Sequence, residues 1–195
     1  DLPETLGGFT DPAWKGRIGW APSNGSFQAM VTGMRLIWGE ERTREWLEGI
    51  MTNEPKVYAK NTPTVAATGS GEIEVGFVNH YYLHRFIAEE GDGFAARNYF
   101  LPGGGPGSAV LVTGAAILKT ADNASEAERF LEYLLSADAQ SYFAEETYEY
   151  PLIDGAERAD LLPELASLNT PDIDVSDLGD LATTQNLLRE VGALP

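Results

Sequence analysis

The chain has 195 residues, 43% hydrophobic and 10% aromatic, with a formal charge of −17 and no cysteine. That apolar content suits a folded chain of one or two domains and excludes a disordered tail, while the missing cysteines remove disulfides, thiolate metal sites and cysteine nucleophiles together. Acid outweighs base throughout, so there is no basic stripe to displace counterions from nucleic acid, and no apolar run reaches the roughly 18–20 residues of a bilayer span.

Arg17-Ile18-Gly19-Trp20-Ala21 is a short apolar run after a punctuated loop, which predicts a strand. Beyond Pro22-Ser23-Asn24-Gly25-Ser26, the residues Phe27, Met30, Val31, Met34, Ile37 and Trp38 recur at helical spacing, with Asn24 or Ser26 as the cap. A second helix is predicted over 41–51 around Trp46, Leu47 and Ile50, and a short one over 62–68, stopped by Gly69-Ser70-Gly71. Ile73, Val75 and Phe77 alternate with Glu74 and Gly76, so a strand is expected over 73–78. Helical spacing resumes at Leu83, Phe86 and Ile87, and 95–101 reads as a further strand. The run from Pro102 to Gly107 is the clearest break, and an apolar strand is expected over 109–118. Asn123-Ala124-Ser125-Glu126 has the form of a capping box before a helix carrying Phe130, Leu131, Leu134 and Leu135. A helix from Ser136, loops with short turns over 151–180, and a last helix over 183–191 stopped by Gly192 complete the chain. Alternating elements followed by helices give an α/β class.

The charge is uneven: residues 1–100 hold 13 acids and 9 bases, and 101–195 hold 17 and 4. Solubility is the plain reading of that field, and attraction of cations is a second. The most informative stretch is Val78-Asn79-His80-Tyr81-Tyr82-Leu83-His84, at a strand-to-helix junction where open α/β sheets bind ligands. Two phenol oxygens converging there would suit a hard trivalent cation such as Fe³⁺, which favours oxygen donors and takes the phenol proton. The other arrangement open to them is one tyrosine in the core and one at the surface. His80 and His84 have the i, i+4 spacing of a helical zinc pair, but no following Glu and no third ligand accompany them. The turn at Ser23, Asn24 and Ser26 offers donors at a helix N-terminus, fit for an anion or simply for capping. Gly103–Gly107 lacks the Lys-Ser/Thr of a phosphate loop and precedes a strand, so it reads as a turn or hinge. No nucleophile with an acid/base partner can be placed, so no catalytic residue is assigned.

Three stretches together resemble the periplasmic ferric-iron-binding proteins of ABC importers, the bacterial transferrin-like family. They are Asp11–Phe27; Tyr58-Ala59-Lys60-Asn61 with Gly71-Glu72-Ile73 and Asn79-His80-Tyr81-Tyr82; and Pro106–Lys119 continuing through Arg129-Phe130-Leu131 to Glu149-Tyr150-Pro151-Leu152. The resemblance implies an α/β fold of the type II periplasmic-binding-protein kind and a non-enzymatic carrier. It implies Tyr81 and Tyr82 as ligands to Fe³⁺. A synergistic anion, phosphate or carbonate, would lie at Asn24, Gly25, Ser26, Asn61 and Asn79. It implies an ABC permease as partner and a periplasmic or extracellular place, free or lipid-anchored. A binder of a small organic anion, a phosphonate or carboxylate, is the alternative within the same fold. Read this way, residues 1–105 are the ligand-binding second lobe, 106–118 a hinge or crossover strand, and 119–195 a helical return segment. A first-lobe segment is then expected to be missing, and Asp1-Leu2-Pro3-Glu4 is not a signal peptide. With that lobe incomplete, the return segment is expected to fold back or two chains to associate.

Overall fold

Ile18–Trp20 form β1, the central strand of a three-stranded parallel sheet in the computed structural model, which describes residues 2–195. All three residues are buried, as a parallel strand covered on both faces requires. On one side Gly19 and Trp20 pair with β2 (Lys56–Val57), and on the other Ile18 and Gly19 pair with β3 (Val75–Gly76). Gly19 has a positional reason to be glycine. A Cβ there would lie 2.3 Å from Ile73 Cδ1 and 2.8 Å from Tyr58 Cε2, closer than any side chain tolerates.

Helix α1 (Gly25–Trp38) follows β1, and α2 (Glu40–Thr52) packs beside it after Gly39, whose φ of +82° favours glycine. Helix α3 (Asn61–Gly69) follows β2, and α4 (Tyr81–Glu90) follows β3. The main core joins Trp20, Phe27, Met34 and Trp46 with Leu187 and Leu188. A smaller one gathers Val65, Leu83, Phe94 and Ala96 under α3 and α4.

Two further helices, α5 (Ala124–Leu134) and α6 (Ala137–Glu146), lie in the second half, and α7 (Leu181–Glu190) is the last. Helix α7 is fastened to α1. The Thr32 and Thr184 hydroxyls are 2.7 Å apart, and the Arg35 guanidinium bonds Glu40 at 2.7 Å and Asp180 at 3.0 Å. The chain therefore divides into two compact units: residues up to Leu111 with Leu168–Pro195, and Val112–Ser167. These units are drawn differently from the segments read in the sequence, because Leu187 and Leu188 bury with the N-terminal half rather than with 119–167. Within Val112–Ser167, α6 is capped by Ser136, and Gln140 ties Leu134 to Leu152.

Several expectations are corrected. Residues 109–118 and 95–101 are not strands. The first lies mostly exposed, with no ladder partner among the described residues. The second keeps a strand-like alternation, with Phe94 and Ala96 buried, but also lacks one. The strand over 73–78 is paired only at Val75–Gly76. Asn123 precedes α5 but makes no side-chain cap; Ser125 bonds Glu126 instead, so the capping box does not close. The apolar face expected on α5 is not buried, with Phe130 59% and Leu135 55% exposed. β2 was not foreseen, since two exposed residues carry no alternation. Among the described residues no helix is long and apolar enough to cross a membrane.

Replacing the fully buried Leu188 by Ala should cost about 2–5 kcal/mol through the cavity left under α7, lowering the urea midpoint. Leu135→Ala, at a site 55% exposed, should stay within about 0.5 kcal/mol.

Candidate functional site

Parallel strands end at one edge, so the helices that follow them begin there. β1 leads through Ala21–Asn24 into α1, β2 through Tyr58–Lys60 into α3, and β3 through Phe77–His80 into α4. Each N-terminus brings unpaired N–H groups and roughly half a positive charge. That edge favours negative oxygen.

At α1, Asn24 Oδ1 accepts from the Ser26 N–H at 2.9 Å and from the Ser26 hydroxyl at 2.8 Å. Asn24 is therefore the cap, one of the two residues expected to serve. Asn61, 1% exposed, donates its Nδ2 to the Ser26 hydroxyl at 3.1 Å, which carries the relay from α3 to α1. Its Oδ1 is buried and receives no protein donor, an arrangement that costs free energy until water or a ligand supplies one. Gly25 is exposed, with open space where a Cβ would stand. The structure thus joins Asn24, Ser26 and Asn61 of the expected anion set in one hydrogen-bonded cluster, with Gly25 between the first two in the chain, whereas Asn79 bonds Tyr81.

At α4, the Tyr81 and Tyr82 rings stack with centroids 4.6 Å apart and planes at 29°. Asn79 donates its Nδ2 to the Tyr81 oxygen at 3.2 Å, and the His80 ring stands edge-on to Tyr81 at 5.6 Å. Tyr82 leans on the smaller core. Both tyrosines are partly buried, so the division into one core and one surface ring does not occur. The phenols are neighbours at the start of a helix, where its dipole favours an anionic oxygen.

A third phenol, Tyr58, is engaged otherwise. It donates to Glu72 Oε1 at 2.8 Å, and burial, then that carboxylate, push its pKa up to about 12. It stays protonated at neutral pH. Asn98 Nδ2 donates to the His80 carbonyl at 2.9 Å and lies 3.3 Å from His84 Nε2. Burial first, and the charge of His80 second, hold His84 below the usual histidine range. Among the described residues no three His, Asp or Glu side chains gather as a metal set, at His80 and His84 or elsewhere. A crevice of about 190 Å³ beside β3 is lined mainly by apolar groups such as Leu6, Phe9 and Leu101. Sequence reasoning passed over Lys60 and Arg85, which look like ordinary solvent-facing charges until α3 and α4 are placed together.

The family model for bacterial extracellular solute-binding proteins matches residues 1–177. The chain is 32% identical over 193 residues to the major ferric iron-binding protein of Neisseria meningitidis serogroup B, covering 98% of this chain and 58% of that protein. It is 35% identical over 198 residues to iron uptake protein A2 of Synechocystis, covering 96% and 57% respectively. The crystal structure of iron-bound HitA from Pseudomonas aeruginosa matches with a TM-score of 0.92 and 31% identity, covering 98% of this chain and 62% of that one. The chain thus spans under two thirds of the length of these relatives. The α/β fold is that of type II periplasmic binding proteins, as the resemblance implied.

Asn24→Ala removes both bonds to Ser26 and should cost about 1 kcal/mol, whereas Asn24→Asp keeps a capping oxygen and should stay within a few tenths. Thermal unfolding of the two variants separates these outcomes.

Proposed function

The chain belongs to the bacterial extracellular solute-binding protein family, and from that premise we propose that it carries ferric iron, held by the phenolate oxygens of Tyr81 and Tyr82. The observation that carries this reading is the stacked pair of rings at the start of α4, 4.6 Å apart, on the same sheet edge as the capped turn of α1. Iron is the cargo. As a hard trivalent ion it prefers oxygen donors, and it displaces the phenol protons as it binds. Asn79 orients the Tyr81 oxygen through its amide.

A small anion, such as phosphate or carbonate, completes the ion's coordination from the N-terminus of α1. Gly25 leaves the backbone there open, the Asn61–Ser26–Asn24 relay fixes the side chains, and the dipole adds positive potential. No group in this arrangement acts as a nucleophile, and the role is binding and release. Closure of two lobes traps the ion, and an ABC permease receives it outside the cytoplasm, from a carrier that is periplasmic or extracellular, free or lipid-anchored at the outer face of the membrane. The names of the relatives support iron as cargo: one is a ferric iron-binding protein and another an iron uptake protein. Binding of a small organic anion alone is the second reading, favoured by the capped turn of α1 taken without the tyrosines.

Ferric ion added with phosphate should produce a visible tyrosinate-to-iron band in the wild-type chain, and the Tyr81→Phe, Tyr82→Phe double variant should lose it. A band that persists in the double variant contradicts the assignment. Calorimetry in which phosphonates bind without iron, and no band develops, favours the second reading.

A further inference from the structure

The chain has nine arginines and 30 carboxylate side chains, so a guanidinium without a partner is unusual here. Arg17, Arg35, Arg44, Arg129 and Arg158 pair with carboxylates. Arg42 lies over Trp38, Arg97 bonds backbone carbonyls, and Arg189 bonds Asn186. Among the described residues Arg85 alone has no acceptor and no ring. It nevertheless lines a cavity of about 50 Å³ with Thr62, Tyr82, Phe86 and Glu89. Glu89, one turn further along α4, is not within 4.0 Å of its guanidinium, although both face the same space. Thr62 belongs to the first turn of α3, and Lys60, the residue before that helix, also lacks a carboxylate partner among the described residues.

Two cations without counterions therefore flank α3 on the rim that carries the tyrosine pair, in a chain of charge −17. Both are exposed and uncommitted to a carboxylate of the chain, which leaves them available to a ligand that carries a negative group. A cavity of about 50 Å³ is ample for a carboxylate, since a single water needs only about 10–15 Å³ by a comparable measure. A guanidinium receives a carboxylate through two parallel N–H···O bonds, which a lysine cannot reproduce. Tyr82 lines this cavity, so it adjoins the proposed iron ligands. An anion with several carboxylates has one to spare.

We propose that Arg85, assisted by Lys60, is a specificity-determining residue that takes a free carboxylate of a polycarboxylate chelator bound with the ferric ion, and so favours such chelates over phosphate. This inference rests on the iron reading above. Arg85 is exposed, so its replacement leaves the cores intact. The 195-residue chain is titrated with ferric citrate, and separately with ferric ion and inorganic phosphate, following the visible band. Arg85→Gln should weaken ferric citrate binding about tenfold, as the loss of a charge-assisted pair implies, and leave the phosphate complex within about twofold. Arg85→Lys should recover part of the citrate affinity and none of it through phosphate. Equal losses with both anions, or no loss with citrate, overturn the role of Arg85 while the iron reading stands. A wild-type chain that gives no band with either anion removes the iron reading and this inference with it.

Discussion

The parallel pairing of β1 with both of its neighbours sets the direction in which the chain leaves the sheet. Only two residues pair on each side, yet the consequence is large, because β1, β2 and β3 must all end at one edge. Helices α1, α3 and α4 then begin together, and their unpaired N–H groups and dipoles add there. At Gly19 the side chains of Ile73 and Tyr58 occupy the space a Cβ would need. The relay from Asn61 through Ser26 to Asn24 and the stack of Tyr81 on Tyr82 both stand on that shared edge.

The two halves of the site differ in how they are held. The α1 turn is fastened by hydrogen bonds, and its one open buried atom is an amide oxygen on Asn61. The tyrosine pair is held by ring stacking, by the Asn79 amide and by the smaller core beneath Tyr82. A directional, polar cradle suits a small anion, whereas two neighbouring, partly buried phenols suit a cation that binds them by displacing protons. Tyr58 marks the contrast, for its phenol donates to Glu72, and burial with that carboxylate makes it hold its proton more firmly.

Much of this was legible in the sequence because local chemistry set it. Asn24 as the cap of α1, Ser136 as the cap of α6, and Gly192 ending α7 with φ +80° each follow from a side chain or a backbone preference confined to a few residues. The tyrosine pair drew notice because it stands at a strand-to-helix junction, and its role as an iron-ligand pair came from the family resemblance of the surrounding stretches rather than from the pair itself. What failed were the elements that need a distant partner. Ala109–Leu118 has the composition of a strand, but a strand exists only where a neighbour offers its backbone, and none among the described residues does. The face of α5 has helical periodicity without burial for a similar reason. Conversely, β2 is a strand solely because Trp20 and Gly19 bond it, and nothing in Lys56-Val57 announces that. Lys60 and Arg85 were passed over because the lack of a counterion is a fact of three dimensions.

The most direct test of the shared-edge account is an anomalous difference map, recorded at the iron absorption edge, from crystals of the chain grown with ferric ion and phosphate. The account predicts one strong peak between the Tyr81 and Tyr82 oxygens at the start of α4. A peak beside His80 and His84, or at a surface carboxylate cluster with none at the tyrosines, would contradict it.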